Sequence, residues 1–463
     1  MKLTAVLVAI VALAIAPRGL KPALYEHDER RAEASASASL KPALDDAHDE
    51  RRAEASASAL PASASPSIGV PDRINQHVSI GSAGDVVAVV WAASKTGSGT
   101  DIYAAISRDE GRSFSAPVRV NGSTSVDVGG EQPPQIVVTR AGGAPAVIVV
   151  WTSKGDAGTR LATARSTDGG KTFGVASVVP GSDAPGNRGW ESIAVDARGR
   201  VVALWLDHRE MARGSREGAH HHGADGSASA SSSATSDGAE RAQASQLYFG
   251  SLSENAGARG IAHGVCYCCK TALVTGAGDA IFAAWRHVYP GNMRDMAFAA
   301  SRDGGRTFSA PVRVSEDGWQ IEGCPENGPA MTVDRDQRTH IVWPTVVREK
   351  GQSTLALFHA STRDGRTFTA RSRLPVSGPA YHPRLVTMVD GSLLAAWDEV
   401  VNGARRIRLA RGRPDGGDRI AFTSIDRAQP IEAQYPALAA TPSGAIAAWS
   451  VGSRISIERI PQR

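Results

Sequence analysis

Short apolar strands recur along the chain as a repeated unit. Each unit has an apolar strand, a turn rich in Gly, Asp, Asn or Pro, and a second apolar strand ending in tryptophan. Runs such as DVVAVVW and PAVIVVW are too short and too rich in β-branched residues for helices, so they predict buried-strand hairpins. Seven tryptophans hold the last position of the second strand: Trp91, Trp151, Trp205, Trp285, Trp343, Trp397 and Trp449.

A third strand follows most of these pairs and leads into a turn of recurring composition. The turn reads Ser-x-Asp-x-Gly-x-Ser/Thr-Phe at residues 107–114, 166–173 and 301–308. A fourth version, at residues 361–368, has its aspartate displaced by one position. In such a turn the carboxylate and hydroxyl groups bind the hairpin backbone, glycine supplies a positive φ, and the aromatic ring packs between sheets. This is the pattern of the Asp box, or BNR repeat.

Antiparallel units of this kind, repeated around an axis, form the blades of a β-propeller. The sequence therefore predicts an all-β, seven-bladed β-propeller of four-stranded antiparallel blades. The last unit, residues 435–460, has three recognisable strands. Residues 68–75 resemble the outer strand at residues 115–121 and precede the first unit. We therefore expect an N-terminal strand to complete the last blade, which leaves no open edge strand.

The segments outside the repeats have a different composition. Residues 1–16 combine a charged start, an apolar stretch and small residues at its end, and predict a signal peptide. Residues 17–65 repeat LKPAL and HDERRAEASASA and predict a low-complexity, Ala/Ser-rich linker. Residues 66–463 are the predicted propeller, and residues 211–246 within it predict a disordered insertion.

The charge of the chain is close to balanced. Lys and Arg number 51 against 47 Asp and Glu, a formal net charge of +4, and no basic run is present. Nucleic acid is therefore not an expected partner. No further segment is apolar enough to span a membrane after removal of the signal. We expect a secreted or periplasmic protein, in which four cysteines favour disulfides.

Strand directions in the blades predict which loops share a face. The loops leading into the innermost strands and those after the second strands lie on one face, here called the top face, and the Asp boxes lie on the other. We predict that the top face binds a small molecule, a glycan or a metal. The candidate ligand-binding residues in these loops are Asp207, His208, Arg209, Arg286, Tyr289, Trp319, Glu322, His382 and Arg384.

The cysteines also fall on the predicted top face. Soft thiolates backed by imidazole suit copper or zinc, and the candidate metal ligands are Cys266, Cys268, Cys269, Cys324, His287 and His263. The alternative is two structural disulfides that hold these loops, with no metal cofactor. A mixed arrangement, one bridge and two free thiolates, is also open.

Several candidates have a plain structural alternative. Asp207, His208 and Arg209 would supply an acid and two cationic groups to an anionic substrate, or tie a loop through an ion pair. Tyr289 and Trp319 would stack on sugar rings, or pack their own loops. The tract of histidines at 220–222 would deliver a metal, or is a solvated tract. The sequence leaves each pair open.

The Asp boxes and strand pattern extend over nearly all of residues 66–463 and resemble the sialidase superfamily. The resemblance implies exo-hydrolysis of terminal sialic acid, with three arginines holding the carboxylate, a Tyr–Glu pair as nucleophile and an Asp as acid/base. The chain departs from the family by having more predicted blades and no Phe-Arg-Ile-Pro motif. The residues that would take these roles are Arg209, Arg286 and Arg384 for the clamp, Tyr381 or Tyr435 with Glu432 for the nucleophile, and Asp207 or Asp398 for the acid.

Two functions are therefore expected from the sequence. The first is an exported, sialidase-like propeller whose Cys- and His-bearing top face binds a ligand or a transition metal without true sialidase activity. The second is an exo-α-sialidase or related glycoside hydrolase acting on acidic sugars. A fold shared by many activities does not choose between them.

Overall fold

The structure is a computed structural model that describes residues 67–140, 145–212, 241–252, 257–321, 325, 327–349, 351–426 and 430–462. The signal peptide predicted at residues 1–16 and the linker predicted at residues 17–65 lie outside the described residues. The predicted site residues Glu322 and Cys324 also lie outside them, as do the histidines at 220–222.

The described residues form seven four-stranded antiparallel sheets, which confirms the predicted seven-bladed propeller. Strands are numbered in chain order from β1 (Ser67–Ile68). Blade 1 contains β2 (Ile74–Ala83), β3 (Val86–Lys95), β4 (Gly99–Ser107) and β5 (Val118–Arg119). Blade 2 contains β6 (Gln135–Thr139), β7 (Ala146–Gly155), β8 (Gly158–Ser166) and β9 (Ser177–Val178). Blade 3 contains β10 (Arg188–Val195), β11 (Val201–Asp207), β12 (Gln246–Ser251) and β13 (Arg259–His263).

The remaining blades repeat this order from the innermost strand outward. Blade 4 contains β14 (Ala272–Thr275), β15 (Ile281–Arg286), β16 (Met296–Ser301) and β17 (Val312–Arg313). Blade 5 contains β18 (Ala330–Val333), β19 (Thr339–Glu349), β20 (Gln352–Thr362) and β21 (Ser372–Arg373). Blade 6 contains β22 (Ala380–Thr387), β23 (Leu393–Val401), β24 (Ala404–Pro414) and β25 (Ile420–Ser424). Blade 7 contains β26 (Ala437–Thr441), β27 (Gly444–Val451) and β28 (Arg454–Pro461), followed by β1.

The ring closes as the sequence predicts. Strand β1 pairs antiparallel with β28, with Ile68 opposite Ile455. Asn75 stabilises this junction through its buried side chain. The side chain forms hydrogen bonds with the backbone of Val70, with the carbonyl of Ser453 at 2.7 Å and with the indole of Trp91 at 2.7 Å. The closing strand, blade 1 and blade 7 are thus held at one point.

The core lies between neighbouring sheets. The seven repeat tryptophans are at most 2% exposed. Each belongs to an apolar cluster, and one such cluster joins Ile102 of blade 1 to Trp151 of blade 2. Burial on both faces explains why the second strands are almost continuous apolar runs.

The Asp-box turns make the side-chain hydrogen bonds expected of them. In the first turn, the hydroxyl of Ser107 donates to Asp109 at 2.7 Å and accepts from the amide of Gly111 at 2.7 Å. The amide of Ser113 also donates to the carboxylate of Asp109, at 2.9 Å. The rings pack between blades as predicted, with Phe308 against Phe249 at a centroid distance of 5.1 Å.

The fourth turn differs from the sequence interpretation. Its aspartate, Asp364, is not displaced, because the hydroxyl of Thr362 donates to it at 3.0 Å and accepts from the amide of Gly365 at 2.9 Å. One residue is missing between the aspartate and the glycine, and a threonine takes the place of the serine.

The two ends of the insertion predicted at residues 211–246 belong to the fold. Residues 209–212 and 241–244 are helical, and Gln246 begins β12. Ala242 is completely buried. The predicted boundaries were therefore too wide, and the rest of the stretch, residues 213–240, lies outside the described residues. Within the part of the chain that the structure describes, no helix has the length and apolar character needed to cross a membrane.

Candidate functional site

Left-handed backbone conformations mark the top end of several inner strands. His77, Trp190, His382 and Tyr435 have φ angles of 59°, 52°, 52° and 55°. The first three lie where a β-bulge interrupts the pairing of the inner strand with the second strand. Such conformations cost energy in residues with a Cβ and concentrate at functional sites. The top end of the inner strands, where Glu131, Lys270, His382 and Arg384 lie near one another, is here called the mouth.

A turn at residues 129–132 reaches across this mouth. Gly130 lies against the ring of Tyr435 from blade 7, so close that a Cβ at this position would be 2.3 Å from a ring atom. The side chain of Gln132 accepts a hydrogen bond at 3.2 Å from the amide of Trp190 on blade 3. The turn, which precedes blade 2, therefore contacts both sides of the ring.

His382 is held between two carboxylates. Its Nδ1 is 2.6 Å from Oδ1 of Asp398, and its Nε2 contacts Oε1 of Glu131 from the turn at 129–132. Burial disfavours the charged imidazole, but the negative charge of Glu131 and the hydrogen bond to Asp398 outweigh it and raise the pKa of His382. The ring of Tyr435 lies over the imidazole at a centroid distance of 4.2 Å.

Two cationic side chains lie in the same neighbourhood. Burial and the charge of Arg384 lower the pKa of Lys270 to about 7, and Glu131 and Asp398 oppose that shift. Nε of Arg384 donates to the carbonyl of Pro436 at 3.0 Å. Lys270 is 7% exposed. The mouth thus combines an imidazole, two carboxylates and two cationic groups.

A cavity of about 150 Å³ continues from this mouth along the inner strands. Arg384 stands at its wall, together with Thr271, which follows Lys270 in the chain.

The cysteines of the loop before blade 4 lie together near the mouth. The Sγ atoms of Cys266, Cys268 and Cys269 lie within 4.8 Å of one another. Cys268 is disulfide-bonded, whereas Cys266 and Cys269 are free, buried thiols with sulfur atoms 3.0 Å apart. This agrees with the mixed arrangement that the sequence left open.

The charges around the free thiols favour a thiolate. Nη1 of Arg294 is 3.3 Å from the sulfur of Cys266. Burial tends to raise the pKa of Cys266, but the hydrogen bond from Cys269 and the charges of Arg294 and Arg286 lower it to about 7. Burial and the neighbouring Cys266 raise the pKa of Cys269.

The cluster matches a metal site only in part. A structural zinc site needs four nitrogen or sulfur ligands, and a disulfide sulfur is not a thiolate. Neither His263 nor His287 joins the three cysteines within that 4.8 Å cluster, in the part of the chain that is described. Among the described residues the cluster therefore offers two free thiols, fewer than the four ligands of a structural zinc site.

Several predicted ligand-binding residues are used by the fold instead. The buried carboxylate of Asp207 pairs with Arg188 at 3.1 Å and with Arg209 at 2.7 Å, which is the loop-tying ion pair weighed from the sequence. Arg286 is completely buried and donates to three backbone carbonyls, at 2.6, 2.7 and 3.1 Å. Asp207, Arg209 and Arg286 thus already have partners within the fold.

The two predicted stacking aromatics also make contacts within the protein. Trp319 is 8% exposed and packs against the guanidinium of Arg286 at 4.5 Å. Tyr289 lies under the guanidinium of Arg313 at 3.8 Å. In the structure both rings thus make the contacts of the loop-packing alternative.

Of the predicted residues, His382 and Arg384 come together at the mouth, and His208 lines a pocket beside it. Sequence reasoning missed Glu131, Lys270 and Trp190. A signal existed for the first: the Gly129-Gly130-Glu131-Gln132 run interrupts the loop before blade 2 with two flexible residues and an acid. The partner of Glu131 lies four blades further along the chain, which no local pattern reveals.

Comparison with known proteins gives a likeness in fold. No family model matches the chain, and no curated protein matches it in sequence. An ulvan lyase of a polysaccharide lyase family is 11% identical, with a TM-score of 0.51 over 86% of this chain and 95% of the lyase. A second structure of the ulvan lyase, bound to a glucuronate–rhamnose 3-sulfate unit, is equally similar.

Sialidases of known structure are also similar to the chain. The NanB sialidase from Streptococcus pneumoniae is 9% identical, with a TM-score of 0.45 over 72% of this chain and 67% of the sialidase. The intramolecular trans-sialidase from Ruminococcus gnavus is 11% identical, with a TM-score of 0.41 over 84% of this chain and 94% of the enzyme. The chain resembles the sialidase superfamily in its fold, and at these identities the likeness concerns the fold alone.

Proposed function

We propose that the mouth of the channel binds a carboxylated saccharide and that His382 transfers a proton to or from it. The observation that carries this proposal is the contact between His382 and Glu131, beside Lys270 and Arg384. These acidic, basic and proton-transfer groups come from three parts of the chain: the loop before blade 2, the loop before blade 4 and strand β22.

The charges at the mouth suit an anionic ligand. Arg384 presents a planar fork that matches a carboxylate, and Lys270 supplies a compact second cation beside it. The carboxylate of Glu131 already contacts His382 and interacts electrostatically with Arg384. A ligand carboxylate would take over the position of Glu131 and meet the same positive charges.

His382 has the surroundings of a proton-transfer group. Asp398 fixes its Nδ1 at 2.6 Å, so Nε2 is the nitrogen directed at the mouth. The amide of Tyr435 donates to the same Asp398 oxygen at 3.1 Å and fixes the carboxylate in turn. Once a ligand displaces Glu131 from Nε2, an imidazole oriented by one carboxylate can act on that ligand as general acid or base.

The arrangement favours acidic saccharides in general over sialic acid alone. Two arginines of the clamp implied by the sialidase resemblance, Arg209 and Arg286, are bound within the fold. Glu432, the acid suggested beside the nucleophile, is exposed. The proposal therefore retains a single arginine, Arg384, and replaces the tyrosine nucleophile with His382. The ulvan lyase of similar fold that binds a glucuronate unit is consistent with this class of ligand.

The test is calorimetric titration of residues 67–463 with glucuronic acid and sialyllactose, with lactose as the neutral control. Acidic saccharides should bind and lactose should not reach the same affinity. Arg384→Ala should weaken acidic binding about 10-fold or more, since a charged hydrogen bond is worth roughly 1.5–3 kcal/mol. Arg112→Ala, on the Asp-box face, is the matched control.

Activity is tested with polymers that carry these acids. Release of reducing ends reports hydrolysis, and formation of an ultraviolet-absorbing double bond reports elimination. His382→Ala should abolish either reaction, whereas binding should survive in His382→Gln. Equal binding of acidic saccharides by wild type and Arg384→Ala would exclude the proposed site.

A second proposal concerns the free thiols of Cys266 and Cys269, which we propose bind a soft cation such as Cu(I). Their sulfur atoms are adjacent, at 3.0 Å, and thiolate sulfur selects soft metals. The charges of Arg286 and Arg294 oppose a cation and limit the affinity. Native mass spectrometry after anaerobic Cu(I) titration should show one ion in the wild type and none in Cys266→Ser, with Zn²⁺ as the comparison probe.

We also propose a secreted or periplasmic location, which the predicted signal peptide at residues 1–16 supports. A saccharide-binding protein of this kind would meet its ligand outside the cytoplasm. N-terminal sequencing of the mature protein after expression of the full chain tests the cleavage, and an intact N-terminus in the cell extract would contradict it.

A further inference from the structure

A second pocket opens on the top face beside the mouth. Its volume is about 410 Å³, which is enough for a sugar ring. Its walls come from the loop before blade 4, the start of blade 3 and the two helical segments at residues 209–212 and 241–244. The side chains that matter for its chemistry are Trp190, His208, Met211, Arg241 and Tyr267.

His208 presents an unsatisfied acceptor to this pocket. The residue is 8% exposed, and its Nε2 is buried with no hydrogen-bond partner. A backbone hydrogen bond to Tyr267 favours the protonated ring, as a carbonyl that accepts from the imidazole does. Because Nε2 has no partner, we assign this bond and the proton to Nδ1. Burial lowers the pKa of His208 to about 4, so the ring is neutral at physiological pH. The bare Nε2 therefore lacks a donor, such as the hydroxyl of a sugar.

The other walls supply faces for a ring. The indole of Trp190 lies 6.0 Å from the imidazole of His208 and tilts at 45° to it. The ring of Tyr267, which is partly exposed, carries the guanidinium of Arg241 at 5.0 Å. Aromatic faces next to a few fixed polar groups are typical of sites that bind the apolar face of a pyranose and its hydroxyls.

The pocket adjoins the mouth through Trp190. The amide of this residue bonds to Gln132, which follows Glu131, and its carbonyl accepts from the hydroxyl of Thr271, which follows Lys270. The indole in the pocket and the charged groups of the mouth are thus fixed by the same stretch of backbone. The left-handed backbone conformation of Trp190 directs its indole into the pocket.

From these contacts we infer that the pocket binds a neutral pyranose ring, with His208 accepting a hydroxyl and Trp190 and Tyr267 contacting the ring. The link to the mouth rests on the proposed function: the ligand is then a chain of at least two sugars, an acidic unit at the mouth and a neutral unit in the pocket. The pocket itself does not depend on that proposal.

The experiment separates the two claims by using a neutral probe for the pocket. Cellobiose is titrated into the full chain, and the indole signal of Trp190, assigned with Trp190→Phe, is followed by NMR. Binding should shift that signal and the His208 ring signals. His208→Phe should weaken cellobiose binding about 3- to 10-fold, the usual worth of one neutral hydrogen bond. His263→Phe, an exposed histidine of the same face, is the matched control.

Arg241→Ala gives a second variant whose side chain is exposed, should His208→Phe fail to fold. It should also weaken cellobiose binding, because the stack on Tyr267 is lost. Cellobiose that leaves the Trp190 and His208 signals unmoved, or that binds equally well to wild type and to whichever of the two variants folds, overturns the inference. Acidic binding that survives in Arg384→Ala overturns the proposed function and leaves the pocket intact.

Discussion

Nε2 of His382 on blade 6 contacts Oε1 of Glu131, which precedes blade 2 on another side of the ring. The contact places an internal carboxylate among the cationic groups of the mouth. It also leaves Oε2 of Glu131 buried with no hydrogen-bond partner. A carboxylate that is only half satisfied is a group that a better-fitting anion can displace.

Replacement of Glu131 tests this relationship. Glu131→Gln should lower the pKa of His382, because one of two charges that favour the imidazolium is lost. NMR titration of the histidine ring signals measures the change, with the exposed Glu432→Gln as control. An unchanged pKa of His382 would show that Asp398 alone determines it. The variant should also bind acidic saccharides more tightly, since the internal competitor is gone.

The contact of Gly130 with Tyr435 predicts a specific steric effect. A Cβ at residue 130 would lie 2.3 Å from the ring, whereas nothing lies within 4 Å of a Cβ at Gly129. Gly130→Ala should therefore lower the free energy of unfolding by about 1–3 kcal/mol, as overpacking does. It should also shift the ring signals of Tyr435. Gly129→Ala should do neither, and equal urea midpoints for the two variants would contradict the contact.

Glu191 gives the protein a pH-dependent stability. Its side chain is buried, and one carboxyl oxygen accepts a hydrogen bond from Thr152 at 3.2 Å whereas the other has no partner. Burial raises the pKa of Glu191 to about 7. In the unfolded chain the carboxyl of Glu191 titrates near 4.5. The stability that its protonated form gives to the folded protein is therefore fully present below that pH. It is lost as the pH rises through about 7, by up to about 3 kcal/mol.

Glu191→Gln should remove this dependence. Urea unfolding at pH 5 and pH 8 measures it: the wild type should lose stability between the two values, and the variant should lose less. The variant should exceed the wild type at pH 8, because no buried charge forms. A variant that is less stable than the wild type at pH 8 would show that the ionised carboxylate is stabilised by its surroundings.

The thiols can be counted by mass spectrometry. Cys266 and Cys269 are buried, so the folded protein should react slowly with iodoacetamide. Unfolding without a reductant should expose two reactive thiols, and reduction should make all four cysteines of the chain reactive. No reactive thiol in the unfolded, unreduced protein would mean that Cys266 and Cys269 are joined as a second disulfide.

Asn75 should be critical for ring closure. Asn75→Ala removes the bonds to Val70, Ser453 and Trp91 and leaves buried polar groups without partners. We expect a loss of about 3 kcal/mol or more, measured by urea unfolding. Gln352→Ala, on an exposed hairpin, should change stability by less than about 0.5 kcal/mol. Similar losses in both variants would argue against a special role of the junction.

The fold was predictable because its signals are local. Each tryptophan closes an apolar run within a single hairpin, and each Asp-box turn is held by side chains at most four residues apart. The strand that completes blade 7 was also recognisable, since its sequence resembles the outer strand of blade 1. These patterns need no knowledge of distant partners.

The site was predictable only in part, since its partners come from distant blades. Arg384 and His382 were found because they follow the expected loop positions. Glu131 was missed because its role depends on reaching across the ring. Arg286 ends a strand, where a charged side chain can meet a ligand or donate to backbone carbonyls, and in the structure it donates to carbonyls. Sequence position identifies the face on which a side chain lies, but not the group that already satisfies it.

The pairing of β1 with β28 also has a consequence for how the chain folds. The first strand of the propeller has to wait, during synthesis, until the last blade has left the ribosome. Blades 1 to 6 can assemble in order through contacts between neighbours, but closure brings together segments at opposite ends of the polypeptide. Contacts of such long sequence separation are slow to form. We therefore expect closure to be the final step of folding, preceded by an open, arc-shaped intermediate.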